Sequence, residues 1–196
     1  MRVIAGKHRG LRLDPPPGDQ TRPITDRVKE SIFSLLTHRL GTPGFLPDAH
    51  VLDLFAGCGS FGIESLSRGA ASCLFVEKDG RTLRTLTGNV AKLADEPSAV
   101  VARGSVWSMR FPHAPGDAEG YRVIFVDPPY RDAHNATRVA GLLDRLASRL
   151  APDGVILLRY ELGTAAPDEH LMGLVRSEER TWGRMTVVIF TRPEAS

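Results

Sequence analysis

The sequence predicts an α/β fold: a doubly wound, mostly parallel seven-stranded sheet with a C-terminal antiparallel hairpin and a small N-terminal hairpin-plus-helix extension. Three observations point there. Between His50 and Leu158, short apolar runs alternate with stretches whose apolar residues recur at helical spacing. A glycine-rich turn, Ala56-Gly-Cys-Gly-Ser-Phe-Gly62, joins the first of these runs to its helix. Near the end the pattern changes to two β-rich runs, Leu171–Trp182 and Met185–Thr191, separated only by Gly183-Arg184, which reads as a hairpin at the sheet edge.

Taken in order, Val3-Ile4 and Leu11-Arg-Leu13 flank a Gly6–Gly10 segment and predict a small hairpin with a basic loop. Asp14-Pro-Pro-Pro-Gly18 is a breaker run and reads as a linker. A helix is expected from Thr25, capped by Thr25 or Asp26, with Val28, Ile32, Leu35, Leu36 and Leu40 on one face and Gly41 and Pro43 as its stop. Arg22, Arg27 and Lys29 surround its start and read as facing phosphate or a carboxylate, slightly ahead of being simply exposed. His50–Phe55 is the first buried strand, followed by the glycine turn and a helix carrying Ile63 and Leu66 and ended by Gly69. Cys73–Glu77 is the second strand, and the next helix, capped by Asp79, places Leu83, Leu86, Val90 and Leu93 together. Ala99–Ala102 and Arg122–Val126 are the third and fourth strands, with a Pro/Gly loop over 112–120. Val139, Leu142, Leu143, Leu146 and Leu150 mark a further helix, from which Pro152-Asp-Gly154 turns the chain into a strand at Val155–Leu158. The expected organisation is a basic arm and helix over residues 1–45 and a second domain over 46–196.

At 196 residues the chain is long enough to bury roughly 70% of its unfolded surface. Its two cysteines, Cys58 and Cys73, form no CxxC pair, which argues against a disulfide framework or a zinc site and suits the reducing cytoplasm. The opening MRVIAGKHRG lacks an apolar h-region, and no apolar run approaches the ~20 residues of a membrane span, so no membrane partner is expected. A net charge of +2 is only mildly basic. Its distribution says more, since Arg2, Lys7, His8, Arg9 and Arg12 all precede the first acid, Asp14.

Gly57, Gly59 and Gly62 match GxGxxG, and Glu77 lies about 20 residues on, where an acid holds ribose hydroxyls. A nicotinamide dinucleotide and S-adenosyl-L-methionine fit this spacing equally. Asp53, on the strand just before the glycines, would repel a pyrophosphate and attract an ammonium, which favours S-adenosyl-L-methionine. The fourth strand ends in Asp127-Pro-Pro-Tyr130. Two residues without N–H donors set the carbonyls beside Asp127 as stiff acceptors, and Tyr130 supplies a flat ring, an arrangement suited to a planar group with an exocyclic amine.

VLDLFAGCGSFGIE, LFVEKD and FVDPPY, in that order, resemble motifs of class I S-adenosylmethionine-dependent methyltransferases that modify exocyclic amines of bases. Together with RVIAGKHRGLRL, RPITDRVKESIFSLL, LSRGAAS and the late Trp182-Gly-Arg184 turn, they resemble the RsmD family of 16S ribosomal RNA guanine-N(2) methyltransferases over nearly the whole chain. The resemblance implies transfer of a methyl group to a guanine N(2) amine, on 16S ribosomal RNA or the assembling 30S subunit, by a cytoplasmic monomer. It implies that Asp53, Phe55, Gly57 and Gly59 line the methionine side of the cofactor, that Glu77 holds the ribose and Lys78 packs by the adenine, and that Ser105 and Val106 complete the adenine site. Asp127 and the Pro128 carbonyl would accept from the target amine, with Pro129 stiffening the turn and Tyr130 stacking on the extruded base. Lys7, His8, Arg9, Arg22, Arg27 and Arg184 would contact RNA. Two departures stand out. Arg103-Gly-Ser-Val106 carries no Asp or Asn for the adenine amine, and Leu158-Arg159-Tyr160 has a base where an acid is common.

The motifs leave other targets open: an adenine amine in DNA, another nucleic-acid or protein amide, or, further off, hydride transfer by a nicotinamide enzyme or an RNA-binding assembly factor without turnover. A covalent route through Cys58 is disfavoured by its place in the glycine turn, where packing is the expected role.

Overall fold

The computed structural model describes residues 1–16, 24–93, 98–164, 171 and 173–193, with Tyr130 described in its backbone only. Its strands form a seven-stranded sheet of order β3-β2-β1-β4-β5-β7-β6. The chain divides into two compact units, Met1–Ser108 and Met109–Ser196. The first holds α1 (Asp26–Arg39), β1 (His50–Leu54), α2 (Ser60–Ser67), β2 (Ser72–Glu77), α3 (Gly80–Ala91) and β3 (Ala99–Arg103). The second holds β4 (Tyr121–Val126), α4 (Tyr130–Ala133), α5 (Ala136–Ala147), β5 (Leu150–Glu161), β6 (Val175–Trp182) and β7 (Met185–Thr191).

In the first unit β1 pairs with β2, and β2 with β3, all parallel. Parallel strands covered by helices read as unbroken apolar runs, and Val51, Leu52, Leu54, Phe75 and Val76 are fully buried. Helix α1 starts where expected, with the Thr25 hydroxyl accepting from the Val28 N–H at 3.3 Å. Gly41, at φ +69°, follows the C-cap, the left-handed position that glycine fills without strain.

The N-terminal hairpin is present: Arg2 and Arg12 form an antiparallel bridge, the Val3 N–H donates to the Leu11 carbonyl and the Val3 carbonyl accepts from the Gly10 N–H, each at 2.9 Å. It is more tightly held than the expected appendage. Helix α2 is buried along all eight residues, and Glu64, at its centre, is 0% exposed. The Glu64 carboxylate accepts from the Ile4 and Ala5 N–H groups at 2.9 and 3.0 Å and pairs with Lys29 and Arg68, each at 3.0 Å. Lys29 therefore answers the choice left open by the sequence in favour of a carboxylate, since it is buried within the unit. The hairpin loop also reaches the end of α2, where the Lys7 N–H donates to the Ser67 carbonyl at 2.8 Å. Gly6 sits so close that a Cβ there would overlap the Ser67 carbonyl oxygen at 1.7 Å.

In the second unit β4 and β5 are parallel, and β7 then β6 add antiparallel. The sheet-edge hairpin is as expected, but β6 starts at Val175, later than Leu171, which instead bridges Leu174. A larger correction concerns β5. The sequence suggested a helix through Leu150 and a turn at Pro152-Asp-Gly154, whereas α5 stops at Ala147 and β5 already begins at Leu150. The register steps from Tyr121–Leu150 to Val123–Val155, so the proline falls in a bulge, where its missing N–H breaks no ladder. Gly154 belongs there for space, because a Cβ would lie 2.9 Å from the Tyr121 carbonyl oxygen.

Candidate active site

In the first unit the expected cofactor residues gather at the C-terminal ends of β1, β2 and β3. Phe55 leaves β1 with φ +57°, an uncommon value for a bulky residue and a sign of backbone strain at the turn. Gly57 and Gly59 follow at φ +58° and +84°, and Gly59 caps α2. The three glycines do different work. A Cβ on Gly62 would lie 2.2 Å from the Phe75 ring and 2.6 Å from the Cys73 sulfur, so this glycine lets helix and strand approach. Gly59 is similarly crowded by Leu86, whereas at Gly57 only the Phe55 carbonyl comes within 4 Å. Gly57 thus presents open backbone, the feature a closely seated ligand needs.

Glu77 ties this turn to the next helix. Its Oε2 accepts from the Gly57 N–H at 3.0 Å, and its Oε1 from the Lys78 and Asp79 N–H groups at 2.7 and 2.8 Å. The carboxylate is thus fixed at the strand tip, where ribose hydroxyls were expected to meet it. Asp79 caps α3 through the Thr82 and Arg81 N–H groups; the Thr82 bonds chiefly hold its carboxyl below the usual range. Lys78 is exposed beside it. Beyond β3, Ser105 is half-buried and Val106 buried, and the Gly104 N–H donates to the Glu77 carbonyl at 3.1 Å.

Asp53, expected on the methionine side of the cofactor, lies on β1 just before the glycine turn. It is 1% exposed, and its Oδ2 accepts from the Gly62 N–H at 2.9 Å inside the first turn of α2. In this arrangement it braces the glycine turn from beneath. Burial pushes the Cys58 and Cys73 thiols upward, which keeps both protonated at neutral pH and suits packing over nucleophilic chemistry.

In the second unit Asp127 follows β4 directly, with Pro128 buried and Pro129 exposed. The Pro129 carbonyl accepts from the Asp132 and Ala133 N–H groups at 2.8 and 3.0 Å, so α4 begins from the proline turn and fixes it. Asp127 Oδ1 accepts from Arg159 Nε of β5 at 2.6 Å. Burial raises the Asp127 carboxyl, and the Arg159 charge and hydrogen bond oppose that rise. The stacking role expected of Tyr130 falls on a side chain outside the described residues.

The basic residues separate. Arg9 and Arg27 line one cavity of about 320 Å³, with Arg2, Asp26 and Glu30 also in its wall. Lys7 is exposed in the hairpin loop, and the neighbouring His8 N–H donates to Ser67 Oγ at 2.9 Å. Arg184 belongs to the second unit, where it pairs with Glu161 at 2.7 Å while remaining 73% exposed. Arg22 lies outside the described residues. Among the described residues no cluster of His, Cys, Asp and Glu is arranged to hold a metal ion, and no helix is long and apolar enough to cross a membrane.

Sequence reasoning missed Trp107, whose ring stands 5.1 Å from that of Phe55, and the pairing of Arg159 with Asp127. An aromatic two residues past Ser105 was a visible signal for the first. For the second, the signal was a base at position 159, directly after the apolar run Val155–Leu158.

A family model described as "Conserved hypothetical protein 95" matches residues 1–191. The Bacillus subtilis protein "Putative rRNA methyltransferase YlbH" is 36% identical over 98% of this chain and 99% of its own length. The Escherichia coli protein "Ribosomal RNA small subunit methyltransferase D" is 33% identical over 79% of this chain and 68% of its own. A solved Escherichia coli structure, "Putative methyltransferase yhhF", superposes with a TM-score of 0.76 at 29% identity, covering 98% of this chain and 97% of the other.

Proposed function

Because the chain belongs to the family described as Conserved hypothetical protein 95, whose named relatives are ribosomal RNA methyltransferases, we propose that it methylates the exocyclic N(2) amine of a guanine in 16S ribosomal RNA, using S-adenosyl-L-methionine. The observation that carries this reading is Asp127: a carboxylate at the end of a buried strand, followed by two prolines, with one oxygen already anchored. When bound, the cofactor supplies a methyl group on a sulfonium, the amine lone pair forms the new N–C bond, and the C–S electron pair returns to sulfur.

The chain's own residues bind and orient. The open backbone at Gly57 admits close approach, and Glu77 offers a fixed carboxylate for two vicinal hydroxyls. Asp53 acts from below by fixing the start of α2. Phe55, Lys78, Ser105 and Val106 would complete the cofactor's surroundings, with Trp107 beside Phe55. Asp127 and the Pro128 carbonyl accept from the amine, favouring tetrahedral geometry at nitrogen and stabilising the positive charge that develops there. The nitrogen then loses its proton to solvent, and no strong base is needed. Tyr130 would stack on the base. Lys7, His8, Arg9, Arg22, Arg27 and Arg184 would grip the RNA backbone, on naked RNA or the assembling 30S subunit. A cytoplasmic monomer suits this work, and the edge strand β6, with Arg176, Glu178, Glu179 and Arg180, is charged in the manner that discourages strand pairing between copies.

The test is transfer of labelled methyl to small-subunit RNA, naked and assembled, from a strain lacking the gene. Label in one guanosine as N(2)-methylguanosine is expected; its absence from both substrates would refute the reading. Glu77→Ala is expected to weaken S-adenosylhomocysteine binding by about ten- to a hundredfold, the worth of roughly 1.5–3 kcal/mol for hydrogen bonds to a charged group. Calorimetry checks it, and unchanged affinity would remove Glu77 from the site.

A further inference from the structure

We propose that Arg159 is the positioning residue of the amine-binding turn: by taking Asp127 Oδ1, it fixes the carboxylate in one orientation and presents Oδ2 to the substrate amine. The proposal rests on the function proposed above and adds a residue that the motifs do not contain.

The geometry is that of a committed pair. Arg159 Nε and Asp127 Oδ1 are 2.6 Å apart, with the side chains 13% and 20% exposed. An ion pair so shielded from water is far stronger than an exposed one. Arg159 lies on β5 and Asp127 directly follows the parallel strand β4, whose last residue, Val126, is in register with Leu158, so the pair forms just beyond the last apolar rung. Met185 on β7 adds a contact, its sulfur 3.8 Å from Arg159 Nη1, which limits the swing of the guanidinium. Among the described residues nothing engages Asp127 Oδ2, so the anchored carboxylate retains an acceptor.

Chemistry explains why this matters. An amine gives up hydrogen-bond donors to a carboxylate, but a protonated carboxyl can present its own O–H and turn the contact repulsive. Burial alone drives Asp127 toward that protonated form, and Arg159 opposes it. The other charges on elements packed nearby within Met109–Ser196 are engaged elsewhere: Arg122 of β4 with Asp153, Asp132 of α4 with Arg138, Arg145 of α5 with the Met109 carbonyl, and Glu161 of β5 with Arg184. Arg131 of α4 is exposed, and β7 carries no charged residue. Arg159 is thereby the cation that sets the state of Asp127.

The sign follows. The ionised carboxylate is the working form, so activity falls as pH drops through the Asp127 pKa. Removing Arg159 removes the lowering influence, and the acidic limb moves to higher pH.

The experiment compares Arg159→Gln and Arg159→Lys in the full chain. For Arg159→Gln, the acidic limb of kcat/KM is expected to rise by about one pH unit or more, with kcat reduced at neutral pH, partly restored at alkaline pH, and affinity for S-adenosylhomocysteine unchanged. Arg159→Lys, which keeps the charge, should lie between the two. Carbon-13 NMR titration of the Asp127 carboxyl in the free protein reads the same shift without RNA or cofactor, and thermal melting identifies any variant that fails to fold. An unmoved titration midpoint in folded Arg159→Gln overturns the proposal while leaving the methyltransferase reading intact. A shifted midpoint in a protein that transfers no methyl group to RNA overturns that reading, and with it the catalytic part of the proposal.

Discussion

Asp127→Ala is expected to lower methyl transfer by at least ~10²–10³-fold while S-adenosylhomocysteine binds within about twofold of the parent protein. The asymmetry follows from where the groups stand. The expected cofactor residues belong to the glycine turn and the tips of β1 to β3, and Asp127 to the turn after β4. Truncation removes the proposed acceptor of the amine and leaves Arg159, only 13% exposed, without its carboxylate. Some loss of stability is therefore expected as well, and Asp127→Asn separates the two effects. The amide keeps an acceptor oxygen and most of the shape but cannot ionise. It should retain more stability than alanine and lose the acidic limb of the rate profile. Single-turnover transfer beside calorimetry checks both variants. Near-parental transfer by Asp127→Ala would sink the assignment of the turn.

The second large effect is on stability. Glu64→Ala deletes a carboxylate that is 0% exposed and serves four donors. Arg68 keeps Glu30, the Gly44 carbonyl and the Phe33 ring, but among the described residues Lys29 is left buried with only the Arg2 carbonyl and the Ser60 hydroxyl. Breaking one partner out of a buried ionic cluster costs about 3–5 kcal/mol. That is a large share of the ~5–15 kcal/mol that a domain commands. At the ~2–4 °C per kcal/mol expected of a chain this size, melting should fall by roughly 6–20 °C. Hydrogen exchange should quicken first at the Ile4 and Ala5 amides. A melt within two degrees of the parent would show that the cluster is dispensable.

Much of this was legible in the residues themselves. Buried parallel strands declare themselves because both faces are covered, and β1, β2 and β4 were readable to within about a residue. The glycine turn and the proline turn were legible because each needs residue types that few other structures tolerate. What was not legible had a common cause. At Pro152-Asp-Gly154 breaker residues mark a turn in most contexts, and only the neighbouring strand makes them a bulge. Asp53 meets Gly62 nine residues on, and Glu64 meets Lys29 and the Ile4 amide across 35 and 60 residues; apart from the i,i+4 pair of Glu64 with Arg68, no local pattern announces these pairings. Arg159 meets Asp127 across 32 residues for the same reason.

Helix α2 begins at the glycine turn, with Gly62 held by Asp53, and ends under the hairpin, with Ser67 held by Lys7. Eight residues, about 12 Å of rigid helix, thus have the expected cofactor turn at one end and the basic loop at the other. The two ends share one thermodynamic cycle. If a ligand at the turn steadies the helix, the loop becomes cheaper to order by some amount, and RNA bound at the loop must tighten the cofactor by that same amount.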